Sequence, residues 1–305
     1  MHSKVYLKAS ELDFDLAHLP NRPEPNRILM CSPDYFAVTE AINSFMLDND
    51  GHLHKVDTQL AYQQWTNIRY FYEMFGFRVH TIRGDVDLEN MVFAANQSFP
   101  FMDVKTQTKS VIMSIMRKER RKREVNYFEA WYRKNGYVVH HLKDCCFESG
   151  GDALWYHGKY LILCGYGSTS HHRTDLAALH QVAEIIGCPV IGIELNHPHF
   201  YHLNTTLSVI DADTCLVYKP GVGKEGFAML KTLFKNILLV RKEEAYAPNF
   251  ACNAFSLDGN IVFIQNTARK TIQKLEKHGK RVVGVDTSEY IKSGGSVYCM
   301  KTKVY

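Results

Sequence analysis

The feature that most constrains this chain is an internal repeat. Two short apolar strands joined by a turn are followed by a stretch with helical spacing and then by another strand, and this order returns along the sequence. Residues 152–167 read as a hairpin, with Tyr156-His157-Gly158-Lys159 as its turn. Leu176, Leu179, Val182 and Ile186 then recur at helical spacing until Gly187, and 190–195 reads as a strand. Hairpin 203–219 turns at Asp211-Ala212-Asp213 ahead of helix 225–234 and strand 237–241. Hairpin 250–265 turns at Asp258-Gly259 ahead of helix 267–278 and strand 281–285. An earlier copy has strands 91–95 and 111–116, helix 127–135 and strand 137–142. A fifth copy is assembled from both ends. Segments 27–31 and 295–302 supply its hairpin strands, 59–75 its helix and 78–82 its closing strand. A period of roughly 50 to 60 residues suggests an array or a propeller. A ring closed by the two chain ends has no free sheet edge there.

Length alone, 305 residues, suggests two domains, but no linker separates the repeats. We therefore expect a polar, proline-bearing, irregular lead-in over 1–27 and one domain over 28–305. With 46% hydrophobic and 22% charged residues, the composition excludes a disordered chain. No apolar run reaches the roughly 18 residues of a membrane span, and the start lacks the apolar region of a signal peptide. A net charge of +4 gives no reason to expect nucleic acid as a partner. The eight cysteines form no CxxC motif, and several, such as Cys164 and Cys215, lie in apolar runs. A reducing, cytoplasmic setting follows.

Four local features carry chemistry: Phe147-Glu148-Ser149-Gly150-Gly151-Asp152, Phe200-Tyr201-His202-Leu203-Asn204-Thr205, Gly294-Gly295-Ser296-Val297-Tyr298-Cys299, and Ala94-Ala95-Asn96. Each lies at the edge of a hairpin in a different repeat. In a propeller such edges converge on the axis, which brings a carboxylate, an imidazole and a thiol together. A thiolate attacks electron-poor carbon, an imidazole protonates a departing amine and then activates water, and a carboxylate holds a cation. Taken singly, each feature has a plainer reading. Cys299 is one cysteine of eight. Gly294-Gly295 suits a turn, and Asp152 ahead of an apolar run suits a turn closure. His197, His199 and His202 lack the Cys or acidic partner at metal spacing that a zinc site needs, so no metal is expected.

Together the features resemble the guanidine-modifying (pentein) superfamily, which includes arginine deiminases, dimethylarginine dimethylaminohydrolases and amidinotransferases. The likeness is nearest to the cyanobacterial-type arginine dihydrolase domain. It rests on Met30-Cys31-Ser32-Pro33-Asp34-Tyr35-Phe36 with Ala41-Ile42-Asn43, then 91–96, Lys118-Glu119-Arg120, Phe147-Glu148, Gly165-Tyr166-Gly167, 200–203, 249–253, and Gly294-Gly295 with Cys299.

The resemblance implies a five-bladed α/β propeller of pseudo-fivefold ββαβ repeats. It implies Cys299 as nucleophile, His202 as general acid/base and Glu148 as the group that holds the guanidinium. Asn43, Asn96 and Asn253 would line the pocket. Arg120 would bind the substrate carboxylate, with Arg173 as a second cation for that group. No metal and no cofactor is implied. The expected partner is a small guanidino substrate, with a homo-oligomer left open. The expected reaction is hydrolysis of a guanidino C–N bond through an amidino-cysteine. Transfer of the amidino group to an amine, or a non-catalytic binding role on the same fold, stand as alternatives. Relatives commonly carry Asp where this chain has Asn204, and deiminases carry Asp where it has Asn96. That loss of negative charge points to a substituted guanidine or a less charged group rather than free arginine.

Overall fold

Apolar side chains run without a break through the middle strands of the repeat, the pattern of strands buried on both faces. The computed structural model describes residues 3–167 and 169–305; Met1, His2 and Ser168 lie outside the described residues. Strand β1 (Val5–Tyr6) lies in the lead-in. The first unit has β2 (Arg27–Cys31), helix Thr58–Met74 and β3 (Arg78–Ile82). The second has β4 (Ser98–Met102), β5 (Lys109–Met113), helix Glu124–Lys134 and β6 (Val138–His141). The third has β7 (Ala153–Trp155), β8 (Ile162–Tyr166), helix Leu176–Ile186 and β9 (Val190–Glu194). The fourth has β10 (Leu207–Val209), β11 (Thr214–Val217), helix Lys224–Leu233 and β12 (Asn236–Leu239). The fifth has β13 (Phe255–Ser256), β14 (Ile261–Gln265), helix Arg269–Lys277 and β15 (Arg281–Val285). The last strand, β16 (Thr302–Val304), returns to the first unit and pairs antiparallel with β2. In all five sheets the hairpin strands are antiparallel, and the strand after the helix is parallel to the second.

Alternation along each middle strand joins one unit to the next. Ile28 and Met30 of β2 pack with Phe255 and Phe263 of the fifth unit, while Leu29 and Cys31 pack with Val111 and Met113 of the second. Ile112 turns the other way, toward Ile162 and Cys164 of the third. Leu163 meets Cys215 and Val217 of the fourth, and Leu216 meets Val262 and Ile264 of the fifth. The apolar contacts thus pass through all five units in a cycle. Burying each such side chain contributes about 1.5–3 kcal/mol, so every unit is stabilised by two neighbours.

Helix Thr58–Met74 illustrates the local logic. The Asp57 side chain accepts from the Leu60 N–H at its start, Ala61, Trp65, Ile68 and Tyr72 form the buried stripe, and Gly76 at φ +83° ends it.

Three expectations shift. Residues 91–95 do not form the first strand of the second unit: Glu89–Val92 is a 3-10 turn, and the strand is Ser98–Met102. Pro100 hides that strand in the sequence, yet β4 pairs only with β5, and an edge strand tolerates proline. Residues 295–301 form a turn rather than a strand, and pairing with β2 begins at Thr302. The lead-in is not wholly irregular, because β1 pairs parallel with β9.

Candidate active site

In each unit a short turn precedes the first strand, and each of these turns carries a polar or nucleophilic residue. Asn96 precedes β4, Glu148 precedes β7, His202 and Asn204 precede β10, Asn253 precedes β13, and Cys299 precedes β16. Hydrogen bonds tie these turns into a closed ring. The Gly150 N–H donates to Ala95 O at 2.9 Å, and the Ala95 N–H donates to Cys299 O at 3.0 Å. The Tyr298 N–H donates to Asn253 O at 3.1 Å. Asn253 Nδ2 donates to Asn204 O at 2.9 Å, and Asn204 Nδ2 donates to Gly150 O at 3.0 Å. The ring passes through all five units and fixes the groups it carries.

Above the ring lies a cleft of about 300 Å³ lined by Asn43, Asn96, Arg121, Glu148, Arg173 and Cys299, among others. Glu148 is buried, and its Oε2 accepts from His202 Nε2 at 2.8 Å while its Oε1 accepts from the Arg117 N–H at 3.1 Å. Burial acts to raise the Glu148 pKa. The hydrogen bond from His202 and the charges of Arg173, His202 and Arg121 outweigh it and hold the carboxyl down at about 2. Asp152 stands behind the pair, with Oδ2 4.0 Å from His202 Nε2 and accepting from Thr174 Oγ1 at 2.7 Å. Its Oδ1 accepts from the Leu203 N–H at 3.0 Å. Burial pushes Asp152 up to about 6. The two carboxyls therefore differ, the one toward the cleft held well below the ordinary carboxylate range and the one behind it raised above that range. Gly151 is required here, because a Cβ at this position would sit 2.8 Å from His202 Nε2 and 2.7 Å from Asn96 Nδ2.

Cys299 is buried, and burial pushes its thiol up. Opposing this, Asn253 Nδ2 donates to Sγ at 3.2 Å, and the charges of Arg121 and Lys301 act in the same sense. The Asn253 side-chain oxygen accepts from the Cys299 N–H at 3.2 Å and the Ser296 N–H at 3.1 Å. Asn204 Oδ1 lies 3.7 Å from Sγ. At the opposite wall, Tyr201 Oη donates to Gly294 O at 2.6 Å, and Asn43 Nδ2 donates to Ser293 O at 3.1 Å. Arg173 is buried against the Tyr201 ring at 5.1 Å and donates one Nη2 bond to Ile42 O at 2.6 Å. Its Nε and Nη1 have no partner among the described residues, as is also true of Asn96 Nδ2. Buried donors without acceptors in a cleft are groups prepared for a ligand.

The chain matches the family profile described as N,N dimethylarginine dimethylhydrolase, eukaryotic, over residues 32–305. It belongs to that family. Within the dimethylarginine dimethylhydrolase family, the N(G),N(G)-dimethylarginine dimethylaminohydrolase of Mycobacterium tuberculosis is 32% identical over 93% of this chain and 87% of that protein. The bifunctional arginine dihydrolase/ornithine cyclodeaminase ArgZ of Synechocystis is 29% identical over 91% of this chain, but only 37% of that protein is covered. The cyanobacterial ArgZ N-terminal domain covalently bound to a reaction intermediate superimposes with a TM-score of 0.82 at 27% identity, over 92% of this chain and 97% of that domain. The fold is thus the mixed α/β pentein type, and the chain is a hydrolase of guanidino C–N bonds.

The structure brings Cys299, Glu148, Asn43, Asn96 and Arg173 to the cleft and sets His202, Asn204 and Asn253 directly behind it. It does not bring Arg120 there. That side chain is 42% exposed and pairs with Glu40 at 3.2 Å and Glu89 at 3.3 Å. The arginine that lines the cleft is its neighbour Arg121, buried on Glu124 and donating Nη1 to Asn96 Oδ1 at 3.1 Å. Sequence reasoning passed over Arg121 because 117–124 reads as one charge run. The signal was the Arg121/Glu124 pair at i, i+3. Asp152 was read only as a turn residue, and its place behind His202 depends on the packing of two units.

Proposed function

We propose that the chain hydrolyses an N-substituted arginine through a covalent amidino-cysteine on Cys299. The observation that carries this reading is one buried cleft holding the Cys299 thiol, the ionised Glu148 carboxylate with His202 bonded to it, and the unpaired nitrogens of Arg173. Glu148 would bind the guanidinium and Arg173 the α-carboxylate, so that the guanidino carbon faces Cys299 Sγ. The thiolate adds to that carbon, the C–N bond to the substituted nitrogen breaks, and His202 gives its proton to the departing amine. Water then adds to the amidino carbon, giving one proton to His202 and the second to solvent as the C–S bond breaks, which releases citrulline and restores the thiolate. If the other C–N bond, to the carbon-chain nitrogen, broke first, the amidino group left on Cys299 could pass to a second amine in place of water, which is the amidinotransferase alternative.

We further propose that the five units are blades of a propeller and that residues 28–305 are one catalytic domain. The cyclic apolar contacts and the hydrogen-bond ring support that arrangement. A reducing cytoplasm suits a chain whose eight cysteines are all free.

A second substrate, unsubstituted arginine, is favoured by the likeness to the N-terminal domain of ArgZ, an arginine dihydrolase. Product analysis separates the readings. Dimethylarginine gives citrulline and dimethylamine on the first reading, and arginine gives ornithine, ammonia and carbon dioxide on the second. Failure to release an amine from any guanidino compound overturns both.

A further inference from the structure

The hydrogen-bond ring has two sides. Asn96, Glu148 and Cys299 line the cleft already described, whereas their chain neighbours Ala95, Gly150 and Tyr298 line a second cavity on the other side. The partition between them is thus only the thickness of the backbone turns. Three cations border this second cavity, Arg22, Lys301 and Lys303, with Glu24 as the carboxylate among them and His157 alongside. Glu24 is engaged: it pairs with Arg22 and lies 3.2 Å from Lys303 Nζ.

Lys301 is different. It is buried, and its Nζ has neither a hydrogen-bond acceptor nor a carboxylate among the described residues. The ammonium sits between two aromatic faces, 3.6 Å from the Tyr298 ring centroid and 3.8 Å from that of Phe255. Burial and the neighbouring charge of Lys303 pull its pKa well below the ordinary lysine value, and the aromatic faces do not supply the anion that a buried cation ordinarily pairs with, so an anion in the cavity would stabilise the charged form. Lys301 and Lys303 flank Thr302 at the start of a strand, so they project to the same side, into the cavity.

We propose that this cavity binds a small oxyanion of the phosphate or carboxylate class, with Lys301 as its principal ligand and Lys303 and Arg22 at its rim. The site is separate from the substrate cleft, and it touches the same segment that carries Cys299. Occupancy would therefore be felt at the thiol through two residues of backbone.

The test titrates the full chain with inorganic phosphate by calorimetry at constant ionic strength. Saturable binding is expected, weakened about tenfold or more in Lys301→Met and unchanged in Arg173→Ala, the cation of the other cleft. A crystal of the unaltered protein soaked in selenate gives a second readout that does not depend on a variant folding, with an anomalous peak within hydrogen-bond reach of Lys301 Nζ. Absence of saturable binding, binding lost in Arg173→Ala but kept in Lys301→Met, or selenate found only in the substrate cleft would each overturn the proposal.

Discussion

Asn253 holds Cys299 from two directions at once. Its amide nitrogen donates to Sγ at 3.2 Å, and its side-chain oxygen accepts from the Cys299 N–H at 3.2 Å. The same oxygen accepts from Ser296, so one side chain shapes the turn and bonds the sulfur. Asn253→Ala leaves two buried N–H groups without an acceptor, each worth about 1–3 kcal/mol. Denaturant unfolding is expected to show that loss, and iodoacetamide is expected to alkylate Cys299 with a pH profile displaced to higher pH. Asn253→Asp keeps both N–H acceptors but places a negative charge beside the sulfur, so it is expected to restore much of the stability and to displace the alkylation profile further.

The two arginines are expected to separate cleanly. Arg173→Ala removes the unpaired donors of the cleft and is expected to raise KM about tenfold or more with a smaller change in kcat, the signature of lost charge-assisted binding. Arg120→Ala breaks only ion pairs at a half-exposed side chain and is expected to leave KM within about twofold. Steady-state kinetics on the same substrate decides this, and the reverse order would return the carboxylate to Arg120.

Asn204→Asp tests the argument from charge. Asn204 Oδ1 lies 3.7 Å from Cys299 Sγ, so a carboxylate there adds negative potential where the guanidinium is expected. The ratio of kcat/KM for arginine over dimethylarginine is expected to rise. The substitution also removes the Nδ2 bond to Gly150, so some stability is lost. An unchanged substrate ratio means that the neutral amides do not set specificity.

Asp152 gives a pH signature in stability. Its folded pKa of about 6 lies above the ordinary 3.8, so the folded chain holds this proton more tightly than the unfolded one. The stabilisation is complete below about pH 4 and disappears as pH rises through about 6. Asp152→Asn removes this dependence. Relative to the variant, the unaltered protein is expected to lose on the order of 2–3 kcal/mol between pH 4 and 7 in urea titrations.

Much of this was legible in the sequence because the repeat is written in apolar spacing. Strands 27–31, 78–82 and 281–285 fall where that spacing puts them, and Cys299, His202 and Glu148 occupy comparable turns of their repeats. What the spacing hides is any feature that depends on a neighbouring unit. Pro100 argues locally against a strand, and only its position at a sheet edge permits one. Arg121 and Arg120 are alike in sequence, and burial against Glu124 distinguishes them. The roles of Asp152 and Asn253 arise from contacts across about 50 residues, and that of Lys301 from a cavity shared by several units.

The central claim is a covalent intermediate on Cys299. Mass spectrometry of the intact protein, acid-quenched during turnover of dimethylarginine, tests it most directly. The account predicts a substrate-derived mass increase that maps to the Cys299 peptide and is absent in Cys299→Ala. An adduct on another residue, or undiminished turnover by Cys299→Ala, would contradict it.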